Sequence, residues 1–556
     1  MSREKKRLRN RPKPIPKPII VPSSPWFTTV PAQMAALALL VLGAYWNSLG
    51  GGFHFDDEGI FLDSYIIGPG FGWGIFRLMQ TRPLTFLTFH WNYLAGGASP
   101  EGFHWVNLLL HAGNAAVVLL IARRVLRAPG ALLAAALFAI HPLQTEAVNY
   151  VYQRATLLAA FFALLSLLLF LRERYYWSVA AFGFSLLAKE ETMALPVFLL
   201  LFDLVRKRHI RWGYYAAMLG MTALFVARLF YSLHRTPDPT IGFGMNRISA
   251  VSYALTQSRV VWIYLRLLLF PAGLNLDRDV ALSRGLLSPA STLPALLLLA
   301  LLLCGLAWMV WKKNQPALWA LGFFVLLAPS SSVVPAADLS FEHRNYFPLL
   351  CLVIAAAFLL ERLPGSFLVP TLVVLLGALF GGTIVRNRAW HDEKSLWADV
   401  VEKSPRKARG YFHLGQAYAS EDSGRARQLY ERGLELDPAS SIGHTNLGIL
   451  LLNQGDPQAA LDHYRQALRL GGEKPLVRNN MGAAYLRQGQ TDEGIQSFRR
   501  ALELEPCRFD SRWNLMLTLS DLGKKNEALL ASRVPANCRL LPEQTQKLED
   551  ARQSLR

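Results

Sequence analysis

The chain has 556 residues, 52% of them hydrophobic and only 17% charged, with a formal net charge of +19. That apolar excess excludes an ordinary soluble enzyme and points to a polytopic membrane protein. The basic balance does not indicate a nucleic-acid partner, because Lys and Arg fall in short clusters beside apolar runs and no Arg-rich stripe interleaves with aromatics.

Residues 1–30 are basic and Pro-rich and read as a disordered cytoplasmic tail. Over 31–385, apolar runs recur that are long enough to cross a bilayer, which takes roughly 20 residues. The first, Pro31–Trp46, reads as an uncleaved span and delivers Phe53-His54-Phe55-Asp56-Asp57-Glu58 to the far face. An ionisable group held at a membrane face is costly, so this acidic triplet is either a solvated turn or the start of a site. A loop with an amphipathic piece, Arg82 to Thr88, follows. The span from His104 to Ile121 returns to Arg123, Arg124 and Arg127, and Gly130–Ile140 leads out to His141-Pro142 and Thr145-Glu146. Ala155–Leu171 ends at Arg172 and Arg174, Tyr176–Ala188 at Lys189-Glu190-Glu191, and the next run at Arg206-Lys207-Arg208. Trp212–Leu233 then exits. Every strongly basic group lands on one side, taken as cytoplasmic.

Val251–Phe270 contains Gln257, Arg259 and Arg266 and reads as an interfacial or re-entrant helix. On that reading there are about 11 spans, with Asp338–Arg344 and the C-terminal region outside. Counted as a span, it makes about 12 and moves the C-terminal region to the cytoplasm.

Beyond a junction at 386–408 the chain turns polar and periodic. Leu447-Gly448 recurs as Met481-Gly482, Tyr464 as Phe498 and Ala467 as Ala501, each at a step of 34. An earlier copy carries Leu414-Gly415, Ala426 and Tyr430, and a degenerate fourth carries Met516 and Ala528. This is the tetratricopeptide pattern of paired antiparallel helices, placed at 409–535 and followed by a tail at 536–556. Such solenoids present concave surfaces that bind extended peptides or proteins. Cys507 and Cys538 could pair in an oxidising compartment. Cys304 and Cys351 lie in apolar runs, and no cysteine spacing resembles a zinc site. The expected fold is therefore all-α: a polytopic membrane helical bundle followed by a soluble α-solenoid.

The unusual polar groups of the membrane part gather on one face under this topology: Asp56, Asp57, Glu58, Arg82, His104, His141, Glu146, Arg154, Lys189, Glu190, Asp277, Glu342, His343, Arg344 and Tyr346. Such a set suits transfer from a lipid-linked donor. A carboxylate accepts the proton of an incoming hydroxyl, and Arg and Lys neutralise a leaving phosphate. A divalent ion is the alternative carrier of that positive charge, and the cluster does not specify one. The rival reading is a membrane-anchored repeat scaffold without catalysis.

Asp56-Asp57, Arg82-Pro83-Leu84-Thr85, His104 with Asn107 and His111, His141-Pro142 with Thr145-Glu146, Arg154, Lys189-Glu190, Glu342 with Arg344 and Tyr346, and the RAWHDEKSLW stretch resemble the transmembrane and tetratricopeptide-repeat-containing O-mannosyltransferases, of the class C glycosyltransferase superfamily. The resemblance implies an inverting enzyme that moves a sugar, commonly mannose, from a polyprenyl-phosphate donor to a Ser or Thr hydroxyl. A lipid or cell-wall glycan is the alternative acceptor. By position, it makes Asp56 or Asp57 the base and sets Arg82, Arg154, Lys189 and Arg344 on the donor phosphate. His141 and Glu190, with Glu58, His104, Glu146, Glu342, His343 and Tyr346, would shape the pocket. A bacterial member would sit in the inner membrane, with its site and repeats in the periplasm and a protein acceptor docked on the repeats.

Overall fold

The computed structural model describes residues 29–57, 81–235, 248–362, 364–536, 538 and 540–555. The tail at 1–28 and Glu58 lie outside the described residues.

The described residues fold as helices. In chain order the membrane part contains α1 (Val30–Tyr45), α2 (Pro83–Gly96), α3 (Pro100–Ala122), α4 (Ala128–Ile140), α5 (Thr145–Asn149), α6 (Arg154–Leu171), α7 (Tyr175–Ala188), α8 (Leu195–Arg206), α9 (Trp212–Arg235), α10 (Ala250–Leu269), α11 (Thr292–Trp311), α12 (Gln315–Leu327), α13 (Leu349–Leu360) and α14 (Gly365–Arg388). Six helical stretches are long and apolar enough to cross a membrane, seven if the bent pair Ala128–Ile140 and Pro142–Asn149 is one span, and three shorter apolar helices accompany them. α10 is not among these.

The middle of the bundle is α4. Its sequence APGALLAAALFAI carries no polar side chain, and nearly every residue is buried, packed by α1, α3, α13 and α14. A helix apolar all round belongs in such a centre or in lipid. α11 is the lipid-type case, with only Thr292 and Val310 buried. At His141-Pro142 the α4 path bends by 50°. Proline cannot continue the ladder, and the His141 ring takes over by accepting the Leu143 N–H at 3.2 Å. The bend turns the polar run Thr145–Tyr150 inward.

The basic turns meet at one end of the bundle. Arg124 lies with Arg172 and Arg174, Arg127 neighbours Glu361, Arg206 donates to Gln315, and Lys207 lies beside Lys313. The acidic turn, Lys189 and Arg344 occupy the other end.

The C-terminal part continues as α15 (Glu393–Lys403), the pairs α16 (Ala408–Tyr418) with α17 (Ser423–Leu436), α18 (Ser441–Asn453) with α19 (Pro457–Gly471), α20 (Pro475–Arg487) with α21 (Thr491–Leu504) and α22 (Phe509–Asp521) with α23 (Lys525–Ala531), and a last helix α24 (Pro542–Leu555). The recurrent glycines let each pair close. A Cβ at Gly448 would lie 2.6 Å from Tyr464, and one at Gly482 2.6 Å from Phe498. Gly448→Ala gains about 1 kcal/mol of helix propensity but overpacks a filled site, at about 1–3 kcal/mol. We expect a net loss of stability, read as a lower denaturant midpoint for the repeats. Cys507 and Cys538 are joined by a disulfide that ties the start of α22 to the segment after α23.

The solenoid is fastened to the site end of the bundle. Asp277, buried in the loop after α10, accepts from Lys407 at 2.5 Å and Arg409 at 2.7 Å, and Arg409 also reaches Asp338 at 2.7 Å. Ser404 bonds Asn275 and the Asp279 N–H, and Arg386 pairs with Asp399 at 2.6 Å. Burial alone would raise the Asp277 carboxyl, but Arg409 and Lys407 hold it below its ordinary value. Asp277→Ala strands Lys407 and leaves Arg409 with Asp338 alone. The expected result is faster proteolysis at the α15–α16 connection, with the repeats themselves intact.

Candidate active site

The acidic stretch forms a reverse turn, closed by the Asp57 N–H on the His54 carbonyl at 2.9 Å. Phe55 takes a left-handed φ of 53°, which costs a non-glycine residue roughly 1–2 kcal/mol. Contacts from the junction offset this. The Phe55 N–H donates to Glu393 at 3.0 Å, and its ring packs on Trp397 and His413. The turn sends neighbouring carboxylates in opposite directions.

Asp57 points into protein. It is fully buried and accepts the N–H groups of Tyr152 at 2.6 Å, His54 at 3.0 Å and Val151 at 3.3 Å. Burial nonetheless pushes its carboxyl up to about 7. Asp56 faces a cavity of about 420 Å³, where it accepts the Tyr150 hydroxyl at 2.7 Å. Burial raises its carboxyl too, the Tyr150 bond opposes that, and Asp338 adds to it.

Two further walls carry the cations. On one, Arg82 grips Glu190 through two bonds, at 2.8 and 3.3 Å, and Lys189 meets Glu191 at 3.0 Å, Gln153 at 3.0 Å and Thr156 at 2.7 Å. Burial lowers the Lys189 ammonium against the pull of Glu191. Burial would raise Glu190, but Arg82 brings it down to about 2. A carboxyl depressed on folding stabilises above its unfolded value and loses that as pH falls through its folded value. The stability gap between wild type and Glu190→Gln should therefore be flat above pH 4.5 and shrink only below it, as melts between pH 8 and 3 will show.

On the other wall, the turn Glu342–Asn345 presents His343 and Arg344. Arg344 donates to the Tyr253 hydroxyl at 3.1 Å and to the carbonyls of Asp338 at 2.7 Å and Leu339 at 3.3 Å. Arg409, from the first helix of the first repeat pair, closes the cavity.

The cavity thus brings together Asp56, Arg82, Lys189, Glu190, His343 and Arg344 from the set drawn from sequence. The others lie around it. Arg154 is spent on packing and hydrogen bonds: its guanidinium serves Asn107, Asn92, Thr88 and Phe103 and lies over the Phe89 and Phe103 rings. His104 bonds the Gly52 carbonyl and His141 the Leu268 carbonyl. Tyr346 joins His111 and Asn114 inside the bundle. Glu146 and Glu342 sit behind His343. Sequence reading missed Tyr150, Tyr253, Asp338 and Arg409. The aromatic run Tyr150-Val151-Tyr152 ahead of Arg154 was a usable signal; nothing marked Arg409. Among the described residues, no group of three or more His, Cys, Asp or Glu side chains is placed to hold a metal ion.

Most charges in the cavity are matched: Arg82 with Glu190, Lys189 with Glu191, Arg409 with Asp338. Among the described residues, Asp56 has no ion-pair partner and Arg344 no carboxylate within ion-pair reach; their contacts are the hydroxyls and carbonyls named above.

The tetratricopeptide repeat family model matches residues 417–475 and 445–510. The mouse protein O-mannosyl-transferase TMTC3 is 34% identical over 156 residues, 26% of this chain and 17% of the mouse protein. Protein O-mannosyl-transferase F38B6.6 of Caenorhabditis elegans is 25% identical over 449 residues, 73% of this chain and 63% of its own. The crystal structure of MamA covers 29% of this chain at 17% identity and a TM-score of 0.24. The matches to the two transferases span less than two thirds of either relative's length. The chain is similar in sequence to TMTC-type protein O-mannosyl-transferases and carries tetratricopeptide repeats in its C-terminal part.

Proposed function

We propose that the protein is a membrane glycosyltransferase that moves a sugar, mannose on the evidence of its relatives' names, from a polyprenyl-phosphate donor to a Ser or Thr hydroxyl of a protein. One observation supports this most. The two charges left without a counter-ion in the cavity are one carboxylate, Asp56, and one guanidinium, Arg344. They match the two demands of the reaction.

Asp56 accepts the proton of the acceptor hydroxyl as its oxygen bonds to the anomeric carbon. The bond from that carbon to the phosphate oxygen breaks, and its electron pair stays on the departing lipid phosphate. Arg344 binds that phosphate by paired N–H donors, and Lys189 and Arg82 add positive charge beside it. Met193, Pro329, Val334 and Ala336 give the cavity an apolar side, suited to the first isoprene units. The repeats open beside the cavity and hold the acceptor polypeptide. With the basic turns cytoplasmic, the cavity and repeats are extracytoplasmic, about 11 helices span the membrane, and α10 lies along its outer surface.

The test is transfer in vesicles holding the full chain, supplied with polyprenyl-phosphate mannose and a Ser/Thr peptide. A labelled peptide supports the reading, and label in glycan or lipid alone would reassign the acceptor. No transfer from any polyprenyl-phosphate sugar would remove the reading.

A further inference from the structure

The steps above leave the Glu146–His343 pair without a role. His343 Nδ1 lies 2.5 Å from Glu146 Oε1, so a single proton sits between them. The other oxygen, Glu146 Oε2, accepts the Glu342 N–H at 2.9 Å, which fixes the carboxyl. The imidazole stacks on Phe341 with ring centres 5.0 Å apart, and it lines the cavity next to Arg344. Nδ1 is turned to Glu146, and among the described residues no hydrogen bond reaches Nε2, which faces the cavity. A buried imidazole anchored at one nitrogen, with the other free beside the phosphate-binding guanidinium, is built to pass a proton.

Resting on the lipid-phosphate reading, we propose that Glu146 and His343 form a proton-handling dyad: it takes one proton from solvent as the donor binds and gives the departing phosphate a hydrogen bond from His343 Nε2. In the empty cavity, Lys189, Arg344 and Arg82 oppose a second proton on the dyad, alongside burial itself. Glu146 and Glu342 behind the ring, and Asp56 across the cavity, act the other way. An arriving phosphate offsets the charge of Arg344, the cation without a carboxylate partner, and tips the balance. The dyad, anionic with its one shared proton, becomes neutral with a second proton on Nε2. On bond cleavage the electron pair falls on a phosphate oxygen that accepts the Nε2–H. The second proton leaves with, or after, the lipid phosphate.

The variants separate the two nitrogens. Asn at 343 keeps an N–H for Glu146 and removes the cavity-facing donor; Gln at 343 supplies a cavity-facing N–H that does not titrate. The full chain in vesicles is assayed with polyprenyl-phosphate mannose from pH 6 to 9, and polyprenyl monophosphate is the competing ligand for a binding readout independent of turnover. Losing one hydrogen bond to a charged group is worth about tenfold or more. Wild type should show a donor KM that rises about tenfold across the range. H343N should hold the high value and H343Q the low value at every pH, and monophosphate affinity should follow the same pattern. If all three share one pH profile, or if H343Q is as impaired as H343N at pH 6, the dyad is wrong while the donor reading stands. If wild type neither transfers mannose nor binds the monophosphate, the donor reading falls and takes the dyad with it.

Discussion

Asp56→Asn lowers the turnover of sugar transfer by about 10²–10⁴-fold, the usual worth of a general base, and leaves the donor KM near wild type. The amide is the same size and keeps an oxygen for the Tyr150 hydroxyl, which bonds Asp56 at 2.7 Å, so the turn stays closed. What it loses is the capacity to take a proton. On the proposed assignment the donor phosphate sits on the far wall with Arg344, so affinity for it should be spared. Initial rates against donor concentration in vesicles separate the two parameters. Turnover within twofold of wild type would remove Asp56 as the base and leave the cavity in need of another.

Asp57→Ala has the largest expected effect on stability. Three N–H groups, on His54, Val151 and Tyr152, lose their acceptor together. Each buried donor left unmet costs roughly 1–3 kcal/mol, so a loss of about 3–5 kcal/mol is expected once the site relaxes. The measurement is thermal unfolding in detergent. It carries a pH signature as well. The Asp57 carboxyl lies near 7 in the folded protein, against an ordinary 3.8. Between those values the folded state holds the extra proton, so the wild type loses stability from this group as pH rises from 3.8 to about 7. Asp57→Asn removes that slope between pH 3.8 and about 7. Activity falls in Asp57→Ala because the side chain that seats the turn aiming Asp56 is lost, a different route to inactivity from that of Asp56→Asn. Comparing melts of the two single variants keeps the routes apart.

The repeats were legible because their signal is local and periodic: small residues at Gly448 and Gly482 face large ones at Tyr464 and Phe498, and the step recurs. The apolar runs were legible for the same reason. The bent end of α4 was legible in part, since His141-Pro142 announces a break but not its 50°. The division of labour between Asp56 and Asp57 was not. Two adjacent acids look alike in a sequence, and only the left-handed Phe55 decides which enters the cavity. The surroundings of Arg154 were not legible either. The resemblance sets it on the donor phosphate, and in the fold its guanidinium makes four hydrogen bonds to carbonyls and amides contributed by α2 and α3. Arg409 was invisible because its partners, Asp277 and Asp338, are 132 and 71 residues away.

The position of Arg409 bears on how such proteins can be recombined. A graft that swaps the whole solenoid at the nominal domain border would discard Arg409, at once a lining residue of the cavity and one of the two partners of Asp277. On the proposed role of the repeats, a chimera joined after Leu436, which retains the first helical hairpin with its host, would exchange acceptor preference while keeping the cavity lining intact. Repeat arrays of different lengths would then be interchangeable readers mounted on a fixed first module.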